Sequence, residues 1–173
     1  HVKVIAEKDE HLVPKIPEEL KVEFPQIDTR VDFERLNKVN EDLLVFADGF
    51  EPQNKLGKIL EKRREAFATE KIDWGHAETL AYATITQDGT PVRFTGQDAQ
   101  RGTFSQRHLV LHDKNNGSEY TPLHHVEGVK ASFTVYNSPL TEAGVVGYEY
   151  GYNLENQNVL SVWEAQFGDF ANM

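Results

Sequence analysis

Two stretches in the last third of the chain decide the fold: Thr141-Glu142-Ala143-Gly144-Val145-Val146-Gly147-Tyr148 and Val159-Leu160-Ser161-Val162-Trp163-Glu164-Ala165. The first is predicted to be a buried helix that runs to about Asn153, with Thr141 as its N-cap. The second is predicted to be a strand with apolar side chains on both faces, which is typical of a parallel sheet covered by helices. Helices and strands alternate after residue 72, so the sequence predicts an α/β fold with a mostly parallel sheet.

Further elements are predicted on the N-terminal side of these stretches. A helix capped by Asp73 begins near Ile72, and its buried face is predicted to consist of Ala77, Leu80, Ala81, Thr84 and Ile85. Short strands are predicted at Val92–Thr95, Leu109–Leu111 and Phe133–Tyr136. Together these elements would form a sheet flanked by helices.

The first 71 residues have a different character. Residues 1–30 contain Pro14, Pro17 and Pro25, which prevent a long helix, and they are predicted to form an irregular connector. Two amphipathic helices are predicted after it, over 31–46 with Asp32 as cap and over about 54–68, giving a helical linker segment over 31–71. The α/β domain is predicted over 72–173, truncated at its C-terminal side.

Composition limits the possible partners and compartments. The chain has 173 residues and a net charge of -10, which argues against nucleic acid or an anionic membrane as partner. Cysteine is absent, which fits a reducing compartment such as the cytoplasm, or the mitochondrial matrix in a eukaryote. No apolar run reaches the roughly 18 residues of a membrane span. Both ends look cut, so we expect the chain to be an excised piece of a longer protein.

Glu142 is the main candidate for chemistry. It opens a helix that carries no other charge for six residues. One interpretation is an ordinary carboxylate in the first turn, stabilised by the helix dipole. The other is a functional group, because a carboxylate in a buried helix end needs a proton or a cationic partner. The pattern alone leaves both open.

Histidines and basic residues suggest weaker candidate sites. His108, His112, His124 and His125 lack the spacing of a metal motif, and polar loops explain them more simply. Arg101, Arg107 and Lys114 lie around a glycine-containing loop that is as compatible with a structural turn as with an anion site. Gln97 and Asp98 follow a predicted strand, and open α/β sheets bind ligands at the carboxyl ends of their strands.

Several long motifs resemble one enzyme family. They are Ile72–Glu78, Gly96–Asp98, Arg101–His108, Tyr148–Tyr152 and Trp163–Asn172. The chain from about residue 45 onward resembles the E1 components of 2-oxoglutarate dehydrogenases. The resemblance implies a thiamine-diphosphate enzyme, of which this chain would be the helical connector and the front part of a transketolase-like pyrimidine-binding domain.

The resemblance also implies roles for single residues. Glu142 matches the glutamate that hydrogen-bonds the N1′ nitrogen of the aminopyrimidine and so assists proton transfer. Phe170 matches the aromatic residue that stacks on the pyrimidine, and Gln97 and Gln166 match polar residues at the active-site wall. Mg²⁺ and the diphosphate would be bound by another domain, because this chain has no Gly-Asp-Gly motif.

Reaction and partners follow from the same resemblance. It implies oxidative decarboxylation of 2-oxoglutarate with succinyl transfer to lipoamide, with the E2 dihydrolipoyl succinyltransferase and its lipoyl domain as partners and a homodimeric parent enzyme. The chain alone is expected to be inactive. A related E1 acting on pyruvate or branched-chain 2-oxo acids is one alternative interpretation. A non-catalytic acidic interaction module is the other.

Overall fold

The computed structural model describes residues 25–171. The chain divides into two units, residues 1–30 and residues 31–173. Most of the predicted irregular connector therefore lies outside the described residues. In the first unit, residues 25–30 contain neither helix nor strand, and Arg30 pairs with Asp28 at 2.8 Å.

The second unit begins with three helices that precede the sheet. Helix α1 is Phe33–Leu43 and begins as predicted at Asp32, whose carboxylate accepts a hydrogen bond from the amide of Glu34. The predicted helix over 54–68 is three elements: a 3₁₀ turn at Asn54–Leu56, α2 at Gly57–Arg64 and α3 at Ala66–Thr69.

Helix α4 (Trp74–Gln87) also begins where the sequence predicts. The Asp73 side chain accepts a hydrogen bond from the amide of His76. The predicted buried face is partly wrong, because Ala77 and Ala81 are exposed, while Tyr82 and Ala83 are buried. The reason is that α4 contacts helix α1 as well as the sheet, so its buried face is rotated away from Ala77 and Ala81.

Within residues 25–171, five strands form two sheets. The strands are β1 (Val92–Gly96), β2 (Leu111–His112), β3 (Glu119–Tyr120), β4 (Phe133–Asn137) and β5 (Leu160–Glu164). A parallel three-stranded sheet has the order β4-β1-β5, and β2 pairs with β3 in an antiparallel hairpin. The predicted strand at Leu109–Leu111 is thus correct at Leu111 alone; its first two residues are buried but lie before the hairpin.

The core lies between the parallel sheet and the helices on one face. Phe94 in the central strand is fully buried, and the ring of Tyr82 packs against Phe94 and Phe133 at centroid distances of 5.8 and 5.6 Å. Core side chains also come from α1 and from the segment 99–126, including Val39, Leu109 and Leu123. The predicted α/β fold, with a parallel sheet flanked by helices and preceded by a helical segment, is confirmed.

The C-terminal part of this fold is more exposed than predicted. Helix α5 (Glu142–Glu155) buries Val145 and Glu149, whereas Tyr148 and Tyr150 are more than half exposed. Strand β5 is an edge strand whose residues are half-buried or exposed. The prediction of full burial was wrong because apolar composition does not say how many sides of an element are covered: α5 buries only Val145 and Glu149 against the sheet.

Candidate functional site

The candidate site lies at the carboxyl edge of the parallel sheet. In the sheet register Gly96, the last residue of β1, is level with Asn137 of β4 and Glu164 of β5. Because the three strands are parallel, the segments that follow them all leave from the same edge. These segments carry Gln97, Glu142 and Gln166, so the topology brings three of the predicted site residues to one edge.

Glu142 and Gln97 are in direct contact at this edge. Glu142 is the first residue of α5, and the Thr141 hydroxyl caps the helix by accepting a hydrogen bond from the amide of Gly144. The Glu142 carboxylate is half-buried, rather than fully shielded as predicted. Gln97 Nε2 donates to Glu142 Oε1 at 3.0 Å. Within residues 25–171 this is the one hydrogen bond of that carboxylate, so Oε2 is available to a ligand.

A close backbone approach joins the ends of β1 and β5. A Cβ atom on Gly96 would lie 2.8 Å from the carbonyl oxygen of Glu164, which is closer than real Cβ atoms approach. Glycine is therefore required there for the two strand ends to pair at this distance.

The turn after β5 contains the remaining two predicted site residues. Gln166 is half-buried and lies two residues after the end of β5. Phe170 lies in a 3₁₀ turn at Gly168–Ala171, and its side chain falls outside the described part of the structure. Its neighbour Asp169 is buried with a φ of 42°, and Asp169 Oδ2 has no hydrogen-bond partner among the described residues. A left-handed backbone conformation and a buried side-chain oxygen without a partner are both features that occur at functional sites.

The basic residues of the 97–114 region are not free to bind an anion. Arg101 pairs with Asp98, and Lys114 pairs with Glu51. Arg107 is bound by two carboxylates, those of Glu78 and Glu164. Each candidate cation is neutralised within the chain, so the structure favours the structural turn over the anion site.

Arg107 forms the most extensive polar cluster at this edge. Its side chain is 3% exposed. Its Nε donates to Glu78 Oε2 at 2.6 Å, and NH1 donates to Glu164 Oε2 at 2.7 Å and to the carbonyl of Ala99 at 3.2 Å. The guanidinium carbon lies 4.6 Å from the centroid of the Phe94 ring. The two carboxylates raise the pKa of Arg107 despite its burial, so it stays charged.

The histidines singled out by the sequence do not form a metal site in the described part of the chain. His108 Nε2 contacts the carbonyl of Ser105, and His124 Nε2 contacts that of Phe133, both at 2.9 Å. His125 stacks on Tyr120, and His112 is exposed on β2. Burial lowers the pKa of His108, which favours its neutral form.

His76 and Glu149 are buried ionisable groups that the sequence analysis did not single out. His76 is buried and contacts Asn40 Oδ1 through Nε2 at 2.7 Å; burial, helped by the nearby charge of Arg63, lowers its pKa to about 4. Glu149 is bound by Arg93 at 2.8 and 2.9 Å. The sequence signal for Glu149 was its position seven residues after Glu142, which places both carboxylates on similar sides of α5.

Arg93 is further enclosed by aromatic rings. Its guanidinium carbon lies 4.9, 5.5 and 4.8 Å from the ring centroids of Tyr136, Tyr148 and Tyr152. The rings stabilise the cation from β4 and α5 while Glu149 neutralises it. This cluster holds α5 against the sheet.

Comparison with known proteins identifies the domain. Residues 70–173 match the family described as transketolase, pyrimidine binding domain. The chain belongs to this family. The family covers the α/β part of the chain, from just before α4 to the end, and its match agrees with the parallel sheet and the helices on it.

Curated relatives of this transketolase pyrimidine-binding domain share most of the chain. It is 63% identical over 151 residues to the 2-oxoglutarate dehydrogenase E1 component of Geobacillus kaustophilus, a match that covers 87% of this chain and 16% of the relative. It is 55% identical over 159 residues to the protein of the same name from Staphylococcus aureus strain N315, covering 91% and 18%. The chain thus spans less than a fifth of these relatives. The resemblance seen in the sequence motifs is confirmed.

Among the described residues, none of the helices is both long enough and apolar enough to cross a bilayer.

Proposed function

We propose that the protein containing this chain is the E1 component of a 2-oxoglutarate dehydrogenase, and that this domain forms one wall of its thiamine diphosphate site. The names of relatives up to 63% identical support the assignment. The observation that carries it is the Glu142 carboxylate, which leaves one oxygen unbonded by the described residues at the carboxyl edge of a parallel sheet. The family description, pyrimidine binding, supports a pyrimidine ring as the ligand at that edge.

The residues at the edge suit an aminopyrimidine ring. Glu142 Oε2 would hold a proton for the ring nitrogen of a bound pyrimidine, while Gln97 holds Oε1 and so fixes the plane of the carboxylate. Phe170 supplies a flat apolar face, and Gln166 lines the wall. When bound, thiamine diphosphate supplies the electron sink that decarboxylation of a 2-oxo acid requires. Mg²⁺ and the diphosphate are bound by another domain of the parent protein.

The partners in this proposal are those of an E1 component. The parent enzyme decarboxylates 2-oxoglutarate and passes the succinyl group to the lipoyl domain of the E2 dihydrolipoyl succinyltransferase. It acts as a homodimer, as the resemblance to E1 components implies. The chain alone provides one wall of the site, so it neither binds thiamine diphosphate tightly nor decarboxylates 2-oxoglutarate.

The test is a pair of matched substitutions in the complete E1 polypeptide. Glu142→Gln keeps the size of the side chain but cannot share the N1′ proton, so kcat for 2-oxoglutarate decarboxylation should fall about 10³-fold. Thiamine diphosphate binding, measured by isothermal titration calorimetry, should persist. Glu155→Gln is the control, because Glu155 is an exposed glutamate at the other end of α5.

The outcomes separate the alternatives. Equal turnover in the Glu142→Gln and Glu155→Gln proteins would refute the catalytic role and favour a non-catalytic interaction module. Decarboxylation of pyruvate or branched-chain 2-oxo acids in preference to 2-oxoglutarate would keep the thiamine diphosphate site but overturn the substrate. Turnover by residues 1–173 alone would contradict the single-wall interpretation.

A further inference from the structure

One buried arginine is bonded to both segments that carry Gln97 and Gln166, the glutamines proposed to line the cofactor site. Arg107 donates to the carbonyl of Ala99, two residues after Gln97. It also binds the carboxylate of Glu164, two residues before Gln166. A single guanidinium group therefore donates hydrogen bonds to the loop after β1 and to the end of β5.

The base of this arrangement is rigid. The third partner, Glu78, lies on α4, which packs on the core side of the sheet. The backbone around Arg107 is fixed as well, because its amide donates to the carbonyl of Arg101 at 2.9 Å, and Arg63 NH2 donates to the carbonyl of Arg107 at 2.8 Å. A helix thus anchors the guanidinium, and the guanidinium anchors two site segments.

We propose that Arg107 is a positioning residue for the thiamine diphosphate site: it sets the spacing between the segment that begins at Gln97 and the turn that contains Gln166 and Phe170. The role rests on the proposed function. Arg107 itself does not touch the ring, since it is buried below the edge. Its effect on catalysis passes through Glu164 and Ala99.

Arg107 should affect catalysis, through the position of the site residues, more than it affects the stability of the fold. A buried ion cluster contributes little net stability, since desolvation of the charges offsets their attraction. Catalysis is far more sensitive, because a displacement of about 1 Å remote from the chemistry can lower a rate about 100-fold. The close approach of Gly96 to the Glu164 carbonyl leaves little room for the strand end to shift without disturbing β1.

Removal of the arginine would also make one of its carboxylate partners easier to protonate. The titratable groups that face the guanidinium are Glu78, Glu164 and Tyr82, whose hydroxyl lies 3.3 Å from Glu78 Oε1. Burial raises the pKa of Tyr82, so it stays neutral. Without Arg107 two half-buried carboxylates are left without their cation, and one of them takes up a proton more readily. At lower pH, protonation of one carboxylate removes the repulsion between Glu78 and Glu164, which should partly restore the spacing of the two site segments.

The experiment uses the complete E1 polypeptide with substitutions at Arg107. Arg107→Met should lower kcat about 100-fold at pH 7.5 and weaken thiamine diphosphate binding. Its activity should recover in part as the pH falls towards 6, which a merely loosened fold would not do. Arg107→Lys, which keeps the charge but not the fork, should recover part of the loss at pH 7.5.

A second arginine provides the matched control. Arg35 on α1 binds Asp88, Gln87 and the carbonyl of Thr84, remote from the sheet edge. Arg35→Met should leave kcat, cofactor affinity and the pH profile within twofold of wild type. Glu164→Gln keeps an acceptor oxygen for Arg107 but loses the charge, so it should lower kcat about tenfold, and it carries the test if Arg107→Met fails to fold.

Each result decides one question. Arg107→Met or Glu164→Gln proteins with the kcat and pH profile of the Arg35→Met control would overturn the positioning role. A wild-type protein that binds no thiamine diphosphate would overturn the proposed function instead. Cofactor binding in the wild type, with losses confined to the Arg107 and Glu164 variants, supports both.

Discussion

Two glutamates of the same helix are used in opposite ways. Glu149 is 6% exposed, and both of its oxygens accept hydrogen bonds from Arg93, with a further bond from Ser161 at 3.2 Å. Glu142 is half-buried, and Gln97 engages only one of its oxygens. The carboxylate that is buried and fully paired serves the fold. The less buried one, with an oxygen to spare, is the one suited to chemistry.

Loss of the Glu149 side chain should have the largest effect on stability. Glu149→Ala leaves Arg93 without its counterion in a mostly buried position, which costs about 3 kcal/mol in the free energy of unfolding. Glu142→Ala, in the same helix, removes a single hydrogen bond and should cost less than about 1 kcal/mol. Urea denaturation of the chain followed by circular dichroism measures both. Equal losses would erase the distinction between the two glutamates.

Acid should destabilise the fold through His76, which is buried. The pKa of His76 is lowered to about 4 in the folded state, so the neutral ring is favoured there. As the pH falls below the ordinary value near 6.5, the unfolded chain takes up this proton before the folded one does. The difference should remove about 2 kcal/mol of stability between pH 7 and pH 5.

A substitution isolates this contribution of His76 from that of other acidic groups. His76→Gln keeps an amide that can donate to Asn40 but does not titrate. Its free energy of unfolding should therefore change less between pH 7 and pH 5 than that of the wild type. Parallel pH dependences in the two proteins would show that His76 takes no part.

Replacement of the whole Arg93–Glu149 pair should have the smallest effect. In the double variant Arg93→Met with Glu149→Leu, apolar side chains fill the same space among Tyr136, Tyr148 and Tyr152, and no charge is left unpaired. Its stability should lie within about 1 kcal/mol of wild type. If the double variant is instead as unstable as Glu149→Ala, the ion pair itself stabilises α5, and the cost of Glu149→Ala does not come merely from leaving Arg93 unpaired.

Local features of this fold could be predicted from the sequence. The caps Asp32, Asp73 and Thr141 act on amides two or three residues away, so neighbouring residues suffice to recognise them. The contact between Gln97 and Glu142 was foreseeable in outline, because parallel topology gathers the segments after the strands at one edge.

Long-range pairing could not be predicted in the same way. Arg93 meets Glu149 across 56 positions, and Arg107 meets Glu164 across 57, and no local pattern specifies either partner. Exposure of α5 was missed because an apolar helix looks the same whether one side or every side is covered. These are properties of the tertiary arrangement.

The strand order has a consequence for how the chain is made. β1 is central in the sheet, yet both of its neighbours, β4 and β5, emerge from the ribosome after it. While the chain is being synthesised, the backbone N–H and C=O groups of β1 therefore stay unpaired until β4 and β5 have been translated. Unpaired strand edges of this kind are prone to pair with other chains. Pairing of β1 on both of its sides therefore depends on β5, whose Glu164 also provides a counterion for Arg107.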